Sequence, residues 1–142
     1  MIKTVFLQSL VAGILAAIAA NIYNQIYFFA TQVDYSNIVN VGSIIGLNLL
    51  VSVLAGLLYL LLTKLSKAKG PIIFNFLYSI GSFTCVIIPI AMTLPLTTPF
   101  PELFPGLTVP MVFFPALAWM TIDPLFRKTN ESQNVKEITR IN

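Results

Sequence analysis

Between Lys3 and Asp34 the chain reads TVFLQSLVAGILAAIAANIYNQIYFFATQV (residues 4–33), a run of thirty residues without a charge. A helix rises about 1.5 Å per residue, so about twenty apolar residues cross a bilayer core. This run is long enough, and it closes on Tyr27, Phe28 and Phe29, the aromatic composition of a membrane interface. A cleaved signal peptide would use Lys3, the apolar run Val5–Ile18 and a cut near Ala17-Ile18-Ala19. The run continues well past that point, so a full span is expected.

The same pattern recurs. Uncharged stretches run from Tyr35 to Thr63, from Gly70 to Pro101 and from Leu103 to Ile122. The reading is an all-α membrane protein, an antiparallel up-and-down bundle of four transmembrane helices at about 5–30, 40–63, 71–94 and 105–125. Asn40 is placed to cap the second helix, and Pro71 suits the first turn of the third. Pro95, Pro99, Pro101 and Pro105 make the last connection extended. Residues 1–126 form a single transmembrane domain, and 127–142 a short polar tail without order of its own.

Composition agrees. The chain has 142 residues, 57% apolar and 9% charged, and a mean hydropathy of +0.88. Soluble domains carry about 25% charged residues, so a soluble globule is excluded. One cysteine, Cys85, and no histidine exclude an intrachain disulfide, zinc or iron–sulfur sites, haem held by histidine and histidine acid–base chemistry. No cofactor or metal site and no enzymatic activity is expected.

The eight basic residues are Lys3, Lys64, Lys67, Lys69, Arg127, Lys128, Lys136 and Arg140. All fall on one side of such a bundle, while the opposite loops hold only Asp34 and Glu102. The positive-inside rule then puts both termini in the cytoplasm, and the expected location is the plasma (inner) membrane, as a multi-pass protein. A basic surface for nucleic acid is not implied. The expected partners are the lipid bilayer and either a second copy or another membrane protein.

Small and polar residues form stripes. Ser9, Gly13, Ala17, Asn21 and Gln25 recur every four residues, beside Gln8, Ala12, Ala16, Ala20 and Asn24. The second helix carries Gly42 with Gly46, and Asn48, Ser52 and Gly56. Such faces let helices approach closely. Asn21, Asn24, Gln25 and Asn48 are expected to gather as one amide cluster in the outer half, as interhelical glue or, less simply, as a polar site. Pro89 is expected to bend the third helix. Pro110 and Pro115 each remove a backbone hydrogen bond in the fourth and mark a candidate helix break, read first as a kink and second as a transporter-like discontinuity. Trp119 and Phe126 are assigned to the inner aromatic belt. Asp123 pairs with Arg127 if the helix continues past Pro124. Val135, Ile138 and Ile141 give the tail a weak apolar edge.

The opening Ala12-Gly13-Ile14-Leu15-Ala16-Ala17 with Asn21, and Val53-Leu54-Ala55-Gly56-Leu57-Leu58-Tyr59, resemble small uncharacterised four-span inner-membrane proteins of bacteria. The resemblance covers about the first half of the chain and implies a four-helix fold and no activity. The function classes left open are an accessory or structural membrane subunit and a small transporter or channel for a neutral or weakly polar solute.

Overall fold

A computed structural model describes residues 2–66 and 69–141, apart from the side chains at 129–131, 133–135, 137 and 141. Lys67, and the side chains of Val135 and Ile141 in the tail, lie outside the described residues. Among the described residues the chain is helical, with no strand. The helices are α1 (Ile2–Thr31), α2 (Val41–Ser66), α3 (Gly70–Cys85), α4 (Ile87–Ala91) and α5 (Phe104–Ile141), with a 3-10 turn at Pro101–Leu103 before the last. Four spans are long and apolar enough to cross a membrane: Ile2–Thr31, Val41–Ser66, Gly70–Ala91 and Pro101–Lys128. The all-α four-helix membrane fold expected from the sequence is the fold observed.

Local chemistry sets most boundaries. The first helix stops at Thr31 because Gln32 turns left-handed (φ 57°) and returns its N–H to the Phe28 carbonyl at 2.8 Å. Glycine usually makes this stop. Asp34 then accepts the Ser36 N–H and Asn40 the Ser43 N–H, each at 2.8 Å. The second bond is the N-cap anticipated for α2. The third span is disturbed at one residue, Val86, which keeps right-handed dihedrals (φ −62°, ψ −26°), so the span runs on from Gly70 to Ala91. Pro89 has no N–H, and its ring crowds the carbonyl four residues earlier, that of Cys85; α3 ends at Cys85 and α4 resumes at Ile87.

The last helix departs from the discontinuity read second at Pro110 and Pro115, and from the expected tail. It runs unbroken through Pro110, Pro115 and Pro124, so neither Pro110 nor Pro115 interrupts it. It also continues from the span through the tail to Ile141, where a non-helical segment was expected. Arg127, Lys128, Lys136 and Arg140 are residue types of good helix propensity, and a helix already nucleated in the bundle extends at little cost.

The bundle is closed in the order α1, α2, α3, α5. The first helix packs on α2 and α5, α3 packs on α2 and α5, and α2 meets α5 across the shorter diagonal. Neighbours are antiparallel. Ser9 lies against Gly56 and Gly13 against Ser52, while Gln8 meets Asp123 and Tyr23 meets Gly106. One end therefore carries Ile2, Ser66 and Arg127 and is called the terminal end; the other carries residues 32–40 and 92–103 and is called the loop end.

The stripes of α1 are the seam of the fold. Gln8, Ser9, Ala12, Gly13, Ala16, Ala17 and Ala20 are all buried. Asn48, Ser52 and Gly56 face them from α2. A Cβ on Gly56 would overlap the Ser9 hydroxyl, and one on Gly13 would stand 2.9 Å from Leu49 Cδ2. Close backbone approach here requires glycine. The Gly42–Gly46 pair takes no part: a Cβ on Gly46 would meet nothing within 4 Å.

Two clusters fill the interior. Toward the terminal end Trp119 and Phe74, both 0% exposed, stack with Tyr59 and Tyr78 at centroid separations of 5.2–5.6 Å. These are edge and tilted contacts, the favoured geometries for aromatic pairs. Trp119 is thus a core residue and not a member of an interfacial belt; its place on the buried stripe of α5 overrides the usual preference of tryptophan for the membrane boundary. Toward the loop end Val33, Tyr35, Phe104 and Leu107 form a second cluster.

Candidate functional site

The amides expected to form one cluster are distributed differently. Asn21 donates to the Ala17 carbonyl at 2.8 Å and Asn48 to the Ile44 carbonyl at 2.7 Å. Each amide turns back on its own helix, four residues away, and Oδ1 of the buried Asn48 is without a partner. Back-bonding of this kind satisfies the donor locally and needs no neighbouring helix. Asn24 and Gln25 instead reach the loop end, where they line one recess. No hydrogen bond among the described residues joins any two of Asn21, Asn24, Gln25 and Asn48.

Tyrosines organise the loop end. The hydroxyls of Tyr23, Tyr27 and Tyr35 donate to the carbonyls of Gly106, Leu103 and Phe100, at 2.9, 2.5 and 2.6 Å. The acceptors are three residues apart along one short segment. Two donors sit one turn apart on α1, and the third lies in the following loop. Gly106 leaves room for the latch, since a Cβ there would come within 2.7 Å of the Tyr27 hydroxyl oxygen. Proline explains one acceptor. The Gly106 carbonyl is the one that Pro110, lacking an N–H, cannot pair with. The Tyr23 hydroxyl supplies the missing donor from α1. A carbonyl freed by proline inside a span is tolerated where a neighbouring group re-satisfies it, and that allows α5 to remain helical there.

The latch closes one side of a recess of about 320 Å³ between the end of α1, residues 33–41 and the first turn of α5. Its apolar base is Val33, Val39 and Leu107, and Tyr27, Phe28 and Tyr35 supply aromatic walls. Asn24, Gln25, Asp34, Ser36 and Asn40 contribute its polar atoms. The Ser36 N–H holds the Asp34 carboxyl below its ordinary value, so the group is ionised at neutral pH. Burial, then Tyr27 and Glu102 nearby, push the Tyr35 hydroxyl above its ordinary value. Both acids of the connecting loops therefore bear on this end of the bundle.

A second polar group lies at the terminal end. Asp123, 5% exposed, accepts from the Gln8 amide at 3.1 Å and pairs with Arg127 at 2.7 Å. The pair with Arg127 follows from the spacing and from the helix continuing past Pro124. The bond to Gln8 was not evident in the sequence, although Gln8 heads a stripe that continues through Ala12, Ala16 and Ala20 to Asn24. A polar residue opening a run of three alanines on one face was its only signal. The tyrosine latch was equally hidden, because its acceptors are backbone atoms. No group of three or more acidic or cysteine residues among the described residues is arranged to hold a metal ion.

No family model matches the chain, and neither a curated protein nor a solved structure is significantly similar to it.

Proposed function

We propose that the chain is a non-enzymatic accessory or structural subunit of the plasma (inner) membrane, with both termini in the cytoplasm, that associates with a second copy or with another membrane protein. The orientation rests on the basic residues: among the described residues Lys3, Lys64, Lys69, Arg127, Lys128, Lys136 and Arg140 all lie toward the terminal end. The observation that carries the association is what remains uncovered. The tightest small-residue seam is consumed between α1 and α2, yet Gly46 of α2 and Gly81 of α3 face open space, and little of the third span is buried by the rest of the chain. In lipid, association is driven by close packing at such small residues. Extraction into nanodiscs followed by native mass spectrometry and cross-linking tests this. An oligomer or a stoichiometric membrane partner is expected, weakened by Gly46→Leu and Gly81→Leu. A lone monomer without a partner would defeat the reading.

A second reading, a small transporter or channel for a neutral or weakly polar solute, is favoured by the buried Asn48 Oδ1 and Ser52 Oγ on α2, neither with a hydrogen-bond partner. Unpaired polar atoms at that depth suit passing water or solute. Flux into proteoliposomes that is lost on changing Asn21, Asn24 and Asn48 to Leu would support it; no flux across a broad solute panel would count against it.

A further inference from the structure

We propose that the recess at the loop end binds an organic ammonium group, either the headgroup of an aminophospholipid or a free amine of choline size. Three independent features converge on this chemistry. The volume, about 320 Å³, lies at the small end of the range of about 300–1,000 Å³ typical of ligand sites. The walls include Tyr27, Phe28 and Tyr35, and the faces of aromatic rings attract cations, quaternary ammonium groups above all. The two tyrosine rings are fixed before any ligand arrives, because the Tyr27 and Tyr35 hydroxyls are tied to backbone carbonyls. The charge is one-sided. Asp34 lines the recess, the connecting segments 32–40 and 92–103 add only Glu102, and neither contains a lysine or arginine.

Other ligand classes fit less well. An anion would meet a carboxylate and no cation. A bare divalent metal would find one lining carboxylate where hard cations prefer six or more oxygens. A neutral apolar ligand would leave Asp34, Asn24 and Gln25 unused. An ammonium group places its charge by Asp34 and its methyl or methylene groups against rings and Val39. If it carries N–H bonds, the side-chain oxygens of Asn24 and Gln25 can accept them.

The test uses the full chain in nanodiscs of phosphatidylglycerol alone, with radiolabelled choline as probe. Saturable binding is expected, weakened about threefold or more by Asp34→Asn and by Phe28→Leu, the scale of one exposed cation–π or charge contact. Asn at position 34 keeps the acceptor for the Ser36 N–H, so the turn is retained; circular dichroism and gel filtration check this. Dimethylbutanol, the uncharged carbon isostere of choline, is expected to compete far more weakly. In a second arm, native mass spectrometry compares retention of phosphatidylethanolamine, phosphatidylcholine and phosphatidylglycerol by wild type and Asp34→Asn. Choline binding without lipid preference assigns the site to a free amine. Retention of the amine lipids that Asp34→Asn abolishes assigns it to a headgroup. Absence of both, binding indifferent to Asp34→Asn, or equal competition by the neutral isostere would overturn the proposal.

Discussion

The side-chain amide of Gln8 donates to Oδ1 of Asp123 over 3.1 Å, joining residues 115 positions apart in the sequence. Both are buried, and the bond ties the start of α1 to the middle of α5. Asp123→Leu leaves the buried Gln8 amide unpaired, and Gln8→Leu leaves Oδ1 of Asp123 without its donor while Oδ2 keeps Arg127; an unmade buried hydrogen bond costs about 1–3 kcal/mol. Gln8→Leu and Asp123→Leu should each lower stability to denaturation in detergent on that scale. The double variant should lose less than the sum, with a coupling of about 0.6 kcal/mol or more. Arg127 is half exposed but its partner Asp123 is buried, so Arg127→Gln, which strips that carboxylate of its counter-charge, should also destabilise, by about 1 kcal/mol or more. Strict additivity of Gln8→Leu and Asp123→Leu would show the bond to be idle.

At the α1–α2 seam, Gly56→Ala should destabilise by about 1–3 kcal/mol, the usual cost of overpacking. The added methyl falls on the Ser9 hydroxyl, so Ser9→Ala in the same chain should recover most of the loss. Gly46→Ala meets nothing within 4 Å and should leave the monomer unchanged or slightly more stable through helix propensity. Thermal denaturation of the three variants decides the matter, and equal effects at Gly46 and Gly56 would contradict the seam.

The Tyr23 latch predicts a conditional effect. Tyr23→Phe deprives the Gly106 carbonyl of its donor and should cost about 1 kcal/mol. Pro110→Ala restores a backbone N–H four residues along, and the penalty of Tyr23→Phe should shrink in that background. A penalty of the same size with and without Pro110, measured by denaturant titration, would refute the compensation.

Asn48 has a satisfied donor and an unpaired buried oxygen. Replacing an incompletely paired polar group by an apolar one of similar volume is close to neutral. Asn48→Leu should therefore preserve or raise the melting temperature. A fall comparable to that of Gln8→Leu would reveal a partner for Oδ1.

Asp34 gives a pH dependence of definite sign. Its carboxyl is held below the ordinary value of 3.8 by the Ser36 N–H. A carboxyl whose folded value is depressed adds stability above its unfolded value and loses it as pH falls through the folded one. Wild type and Asp34→Ala should thus differ at neutral pH and converge as the pH drops below 3.8. A difference that grows on acidification would reverse the assignment.

The spans were legible because thirty uncharged residues can do little else, and because Asp34, Glu102 and the lysines punctuate them. The stripe Ser9, Gly13, Ala17 was legible as a packing face by its period. Residues whose partners are backbone atoms were not. Asn21 and Asn48 look like interhelical donors until the nearer carbonyl of their own helix takes the bond. Trp119 could be placed on the wrong side because composition gives a preference for an interface, not the azimuth of one helix in a bundle. The length of α5 was hidden too: three prolines suggest interruption, and only the position of Tyr23 shows how one of the lost bonds is replaced.

The three tyrosine hydroxyls grip carbonyls rather than side chains. Their acceptors belong to the main chain and persist when most side chains at Phe100 and Leu103 are exchanged. At Phe100 and Leu103 the constraint is therefore one-sided: their side chains can drift while Tyr27 and Tyr35 stay fixed. Paired sequence change, the usual trace of two residues that touch, is to be sought instead at Gly106 with Tyr27 and at Pro110 with Tyr23.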